Sequence, residues 1–236
     1  PGVARMHVHT SEKMLSDHEL GDVKTASTLF SADGRLLACV GAADVTIYDT
    51  RSNAVVRTIA CPGTIATHFS PGATFLSTYQ KANASGAGDE KNLSVWRVAT
   101  GEKVYACFQK SFQSAFWPYL QFSDDDAVAC RAVTNEVHFF RTDDFETRAT
   151  RLRVPQIALG KLSPGPSPAV ATFVPEKKGI PGSVSVFPPP PADSQGVVEV
   201  QPSARKAFFR VNEVDFMWAP DGSAVLVLDS RASFSE

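Results

Sequence analysis

The side chains of this 236-residue chain that could do chemistry are few and scattered. The histidines are His7, His9, His18, His68 and His138. His7 and His9 would share one face of a strand and could grip a metal together. Two ligands without a nearby third make a poor site, so a surface or terminal role is the expectation. Asp124-Asp125-Asp126 sets three carboxylates in a row, which reads as a solvated turn rather than a metal cluster. The cysteines Cys39, Cys61, Cys107 and Cys130 form no C-x-x-C pair, which argues against a zinc knuckle or a thioredoxin-like site. Cys39 and Cys130 are expected as buried free thiols at matching places in two apolar strands. The phosphate loop G-x-x-x-x-G-K-[ST], the G-x-G-x-x-G fingerprint and the H-E-x-x-H pair are missing from the sequence. Gly165-Pro166-Ser167-Pro168-Ala169 lacks the second glycine of a nucleophile elbow. The expectation is a protein that binds rather than catalyses, with no cofactor and no metal.

Charge is the remaining chemistry. The formal net charge of -2 argues against a globally basic nucleic-acid binder but not against a local patch. Between Arg141 and Arg210 ten Lys and Arg face six Asp and Glu, whereas the first 120 residues balance at eleven against ten. Arg148, Arg151, Arg153, Lys177, Lys178, Arg205, Lys206 and Arg210 carry this excess. They are the candidate contacts to RNA or an acidic partner, through charge-assisted bonds. The bland alternative is a solvated surface, because strand alternation scatters neighbouring residues over two faces. Alternation puts Lys206, Phe208 and Arg210 on one side and Ala207 and Phe209 on the other. Arg210 pairing with a carboxylate such as Glu213 would also account for it.

The elements that must position these residues show themselves as a repeat. Asp44-Val45-Thr46-Ile47-Tyr48, Asn92-Leu93-Ser94-Val95-Trp96, Glu136-Val137-His138-Phe139-Phe140 and Ser183-Val184-Ser185-Val186-Phe187 each run polar, apolar, polar, apolar, aromatic. A period of two marks a half-buried strand, since successive side chains point to opposite faces. From Val45 to Leu93, Val137 and Val184 the steps are 48, 44 and 47 residues. Four-stranded propeller blades repeat at about 40–45 residues. A second column pairs an aromatic with a turn: Phe30-Ser31-Ala32-Asp33-Gly34, Phe69-Ser70-Pro71-Gly72, Phe122-Ser123-Asp124-Asp125 and Trp218-Ala219-Pro220-Asp221-Gly222. Leu162-Ser163-Pro164-Gly165 is a weaker fifth. Apolar strands are expected after these turns at Leu36–Val40, Thr74–Tyr79, Ala127–Arg131, Ala169–Val174 and Ala224–Leu228.

The fold expected is therefore all-β, a WD-repeat β-propeller of about four and a half blades belonging to a larger ring. The blades fall at 23–60, 61–110, 117–153 and 156–210, with the start of a fifth at 213–236. Chains seldom stop in mid-blade, because that leaves a sheet edge unpaired. The expectation is a piece of something longer, with Met6–Val8 as an added strand. Ala82–Lys91 reads as a flexible insertion, and Pro188–Pro191 as a rigid inter-strand loop rather than a polyproline ligand. No apolar run approaches the ~18 residues of a membrane helix.

Several stretches, in order, resemble the eukaryotic translation initiation factor 2A family. Phe69-Ser70-Pro71-Gly72-Ala73-Thr74-Phe75-Leu76-Ser77-Thr78 matches its F-S-P-x-x-x-x-L-[SA]-T stretch, and Asn135-Glu136-Val137-His138-Phe139-Phe140 its N-E-V-H-F-F. Leu162-Ser163-Pro164-Gly165-Pro166 matches L-S-P-G-P, and Lys206-Ala207-Phe208-Phe209-Arg210 resembles K-x-F-F-K, followed by Met217-Trp218. The resemblance implies a nine-bladed ring of which about half is here. It also implies a non-catalytic, cytoplasmic factor that binds the small ribosomal subunit and assists placement of initiator methionyl-tRNA, with mRNA and other initiation factors as further partners. The Trp-Asp dipeptides of WD repeats are degenerate here: Tyr48-Asp49 is nearest, and Trp96 precedes Arg97. A generic WD-repeat scaffold for protein partners is the alternative, and copurification with small ribosomal subunits separates the two.

Overall fold

The computed structural model describes residues 5–9, 14–19, 27–81, 91–145, 149–165, 168–191 and 194–231. It is all-β, built of sheets whose strand pairs, among these residues, are antiparallel except for one. The chain divides into two compact units, Pro1–Ser114 and Ala115–Glu236.

The first unit opens with a hairpin, β1 (Arg5–His9) on β2 (Met14–Glu19), in which His7 lies opposite Asp17. Met6–Val8 is thus in a strand, as expected. Two four-stranded meanders follow. The first is β3 (Thr28–Phe30), β4 (Leu36–Val40), β5 (Asp44–Asp49) and β6 (Val55–Ala60). The second is β7 (Thr64–Phe69), β8 (Phe75–Gln80), β9 (Leu93–Arg97) and β10 (Lys103–Cys107). Most of the Ala82–Lys91 insertion, residues 82–90, lies outside the described residues. The alternating apolar side chains of the two sheets meet in one core: Ala38, Val40, Val45, Ile47 and Ile59 from the first, Phe69, Leu76 and Trp96 from the second. Full burial of a side chain the size of Ile47 or Leu76 contributes about 1.5–3 kcal/mol.

The second unit begins with β11 (Gln121–Phe122), β12 (Val128–Val133), β13 (Glu136–Arg141) and β14 (Thr150–Arg153). The next sheet contains β15 (Leu159–Leu162), β16 (Val170–Val174) and β17 (Gly182–Phe187). The chain then makes an excursion the repeat does not foretell. The short β18 (Gly196–Val198) adds in parallel to β14 as a fifth strand, before β19 (Ala204–Phe208) completes the sheet of β15, β16 and β17. Thr150 Oγ1 fixes this excursion by donating to Ser194 O at 2.6 Å. The hairpin β20 (Val211–Trp218) and β21 (Val225–Arg231) follows, with Val211 and Phe216 packed against Ala171, Phe173 and Val184.

Register confirms the aromatic column. Tyr48, Trp96, Phe140 and Phe187 lie opposite Leu37, Leu76, Ala129 and Val170, which hold the same place after their turns. Observed strands begin or end one to three residues from the expected ones, apart from Leu36–Val40, which agrees. Cys39 and Cys130, expected at matching places, do not match. Cys39 faces Thr46 across the ladder and Cys130 faces Phe139, one place earlier in the repeat. One place in a strand is a change of face, so the two thiols enter different cores. Both are buried, and burial pushes Cys39 up to about 11 and Cys130 up to about 12.

A serine hydroxyl closes four of the turns that lead into the apolar strands. Ser31 Oγ accepts from Leu36 N at 3.0 Å, Ser70 from Phe75 N at 3.0 Å, Ser123 from Val128 N at 2.9 Å and Ser163 from Ala169 N at 2.9 Å. All four serines are buried, so each hydroxyl satisfies an amide that water cannot reach easily. Asp, Pro and Gly signals mark these turns in the sequence, but the serine hydroxyl that closes them is visible only in the structure.

Candidate functional site

Several polar side chains inside the sheets are engaged in structure. Trp96 Nε1 donates to the buried Thr78 Oγ1 at 2.9 Å. Asn92 clamps the chain after β10, donating through Nδ2 to Gln109 O at 3.0 Å and accepting from Gln109 N at 2.7 Å. Gln121 reaches from β11 to β15, donating to Gly160 O and accepting from Leu162 N, both at 2.8 Å. Lys161 continues the pattern to β20: its Nζ donates to Phe216 O at 2.6 Å, and its own carbonyl accepts from Trp218 Nε1 at 3.2 Å.

The aspartate triplet divides. Asp124 accepts from Gly165 N at 2.8 Å, tying its turn to the next. Asp125 accepts from Ser123 Oγ at 2.6 Å and Ala127 N at 3.0 Å, and the hydroxyl bond holds its carboxyl below the usual range. Asp126 departs from the solvated-turn reading: it is buried, with φ 56°, because the turn rolls it inward. Among the described residues no three His, Cys, Asp or Glu gather into a metal site. No helix among them is long and apolar enough to cross a membrane.

The structure sorts the eight candidate cations into groups. Arg148 lies outside the described residues. Arg151 and Arg153 alternate along β14 with the buried Thr150 and Leu152, so both are exposed on one face. Arg153 lies opposite Glu136 and Arg151 opposite His138, and Glu136 Oε2 is 2.8 Å from His138 Nε2. This His–carboxylate contact supports a structural place for His138, as its column with Thr46, Ser94 and Ser185 suggests.

Lys177 and Lys178 occupy the turn between β16 and β17. Lys177 N bonds Ile180 O at 3.1 Å and Ile180 N bonds Lys177 O at 3.0 Å, with φ 51° at Lys178 and 78° at Gly179. Two successive positive φ values inside a reciprocal pair define a two-residue hairpin turn of type I′. Gly179 suits this geometry. Lys178 adopts it at a steric cost, and both ammonium groups stand at the exposed tip.

Arg205 and Lys206 part company on β19. Arg205 lies opposite Ser185, on the face of Ser183, whereas Lys206 lies opposite Val184, on the face where Phe208 packs against the β20–β21 core. Arg210 leaves the strand at φ 60° and its amide donates to Glu176 Oε2 at 2.9 Å. Its partner is thus Glu176 rather than Glu213, and the bond is made by the backbone. Lys177, Lys178 and Arg205 meet around one cleft of about 310 Å³, which also touches Gln156 and Ser183. Sequence separation hid this grouping: the antiparallel pairing of β17 with β19, made after the excursion through β18, brings Arg205 back beside the turn.

No protein-family model matches the chain. Its sequence is 37% identical over 201 residues to eukaryotic translation initiation factor 2A of Schizosaccharomyces pombe, covering 84% of this chain and 33% of that protein. The protein of the same name from Dictyostelium discoideum is 29% identical, over 84% of this chain and 32% of its own length. A solved structure described as the crystal structure of the eukaryotic initiation factor superposes with a TM-score of 0.78 at 30% identity. That match covers 98% of this chain and 58% of that one. Sequence and fold together make the chain a relative of the eukaryotic translation initiation factor 2A proteins, matched over about a third of the length of those curated relatives.

Proposed function

We propose that the chain acts in translation initiation as a non-catalytic binding module: it docks on the small ribosomal subunit and assists placement of initiator methionyl-tRNA. The observation that carries this reading is the kinship with translation initiation factor 2A over most of the chain, in sequence and in fold. Two further features support it. Several of the polar groups inside the sheets, among them Asn92, Gln121 and Lys161, are spent on structural bonds. The exposed cations Arg151, Arg153, Lys177, Lys178, Arg205, Lys206 and Arg210 are suited to phosphates, with Arg148 in the same basic stretch. On this reading the four main sheets are blades of a larger, nine-bladed ring in the cytoplasm, with the boundaries given by the sequence repeat. Messenger RNA and other initiation factors are further partners.

The test is cosedimentation of the chain with purified small ribosomal subunits across a salt series. Saturable binding that weakens with salt, and that weakens further when Lys206 and Arg210 become Gln, is the expected result. Unchanged affinity and salt slope in a double variant of unchanged melting would remove those two residues from the interface. No binding at any salt would remove the ribosome from the proposal.

A further inference from the structure

The cleft beside the β16–β17 turn combines features that a purely electrostatic contact does not need. Three cations, Lys177, Lys178 and Arg205, border it. Its walls are apolar: Val174, Pro175, Ile180 and Pro181. Gln156 and Ser183 add side chains that can donate and accept hydrogen bonds. Two large apolar side chains stand exposed nearby, each at 71%: Ile180 on the wall itself, and Phe209, one residue before the Arg210 amide that bonds Glu176. Glu176 is the acidic group nearest in sequence, and its Oε2 is engaged by that amide.

Duplex RNA presents phosphates but keeps its bases stacked inside. A cationic rim alone would serve it, and an apolar pocket with amide and hydroxyl groups would go unused. A single strand offers unstacked bases together with phosphates, and proteins bind it by combining a basic track with surfaces on which bases lodge. A volume of about 310 Å³ has room for one base with part of its ribose. We infer that this cleft is a binding site for single-stranded RNA, in which one base lodges against Ile180 and Pro181 while the flanking phosphates meet Lys177, Lys178 and Arg205. The inference rests on the translational reading above but narrows it to one site and one form of nucleic acid. An acidic protein segment is the competing occupant. It would use the cations and leave the base-sized pocket and its amide without a role.

The experiment measures fluorescence anisotropy of a labelled ten-nucleotide oligouridylate on the whole 236-residue chain. Three phosphate contacts to a single strand give a salt slope of about −2, so affinity should fall about 20-fold between 50 and 200 mM salt. The triple variant Lys177→Gln, Lys178→Asn, Arg205→Gln should lose most of the affinity and flatten the slope; Asn is chosen because it tolerates the positive φ. Ile180→Ser keeps every charge, and because Ile180 is exposed the chain should fold unchanged. It should weaken binding severalfold at an unaltered slope. A ten-base-pair RNA duplex should bind more weakly than the single strand. Any of three results overturns the inference: unchanged affinity in the triple variant, unchanged affinity in Ile180→Ser, or duplex binding as tight as single-strand binding. A ten-residue polyglutamate that binds where the oligouridylate does not would also overturn it, in favour of an acidic segment. Small-subunit cosedimentation of the wild-type chain separates the two readings. If oligouridylate binding is absent while the wild-type chain still cosediments, this site fails and the translational reading stands.

Discussion

Gly34 and Gly222 hold the same place in two turns, and replacing each by Ala should separate backbone strain from packing. Both close a turn onto the residue three places back: Gly34 N bonds Ser31 O and Gly222 N bonds Ala219 O, each at 2.9 Å. Both have φ +71°. A Cβ at Gly34 would meet nothing within 4 Å, whereas one at Gly222 would lie 2.6 Å from Pro164 O. The strain alone is bearable, because the equivalent residue of the Ser70 turn is already an alanine, Ala73, at φ 58°. Left-handed backbone costs a β-carbon about 1–2 kcal/mol. Reduced freedom of the unfolded chain returns about 0.4–1 kcal/mol. Gly34→Ala should therefore cost roughly 0–1.6 kcal/mol. Gly222→Ala bears the same strain and must also push a backbone carbonyl away, which adds about 1–3 kcal/mol by analogy with overpacking. Urea unfolding of each variant gives the difference. Hydrogen exchange across 211–231 should show the β20–β21 hairpin loosening only in Gly222→Ala. Trp218 reports the same event, since its Nε1 donates to Lys161 O beside that contact. Equal losses for the two variants, with Trp218 undisturbed, would refute the seating of the hairpin turn on Pro164.

Three other outcomes are expected. Gln121→Leu should destabilise the second unit by about 2–4 kcal/mol in urea titration, because it strips partners from Gly160 O and Leu162 N together. Lys178→Asn alone should raise stability by about 0.5–1 kcal/mol, since Asn tolerates a left-handed turn position, while weakening oligouridylate binding. A stability gain paired with a binding loss would mark the lysine as kept for its charge. Burial of His68 lowers its pKa below the ordinary 6.5, so the folded chain holds it neutral. That contribution is present above pH 6.5 and is lost as pH falls below it, because the unfolded chain binds the proton more readily. Thermal melts of His68→Gln between pH 7.5 and 5 should show a shallower acid-side decline than wild type.

Much of the fold could be read from sequence because the ladder enforces it. An error of one residue at Tyr48, Trp96, Phe140 or Phe187 would have turned a whole strand inside out, so the alternation around each is unambiguous. The same rule exposes the misalignment of Cys39 and Cys130, matched by resemblance of neighbours rather than by counting from the turn. β18 was not legible, since three residues in Gly196–Val198 carry no period. What fixes it is the hydroxyl of Thr150 meeting Ser194, a contact that exists only once the sheet is formed. Lys177 and Lys178 were visible as charges, and Lys178-Gly179 between two strands is also a turn signal that could have placed them at a tip. Their meeting with Arg205 depends on the β17–β19 pairing across the proline-containing excursion, a distance no local pattern encodes.

The same architecture explains why chemistry gathers at the β16–β17 turn and not among the inner polar residues. Each turn that leads into an apolar strand must satisfy buried amides, and Ser31, Ser70, Ser123 and Ser163 give their hydroxyls to that task. Gln121 and Lys161 give their side chains to neighbouring strands. Releasing any of them to a ligand would leave buried backbone groups unpaired, at about 1–3 kcal/mol each. The β16–β17 turn has no such debt, since Lys177 and Ile180 satisfy each other through the backbone. Its side chains are free to be chosen for what they meet outside the protein, and the chain places two lysines there, one in a conformation that lysine adopts only at a cost. A lysine retained where asparagine or glycine would be more stable is the residue at which binding, rather than folding, has the stronger claim.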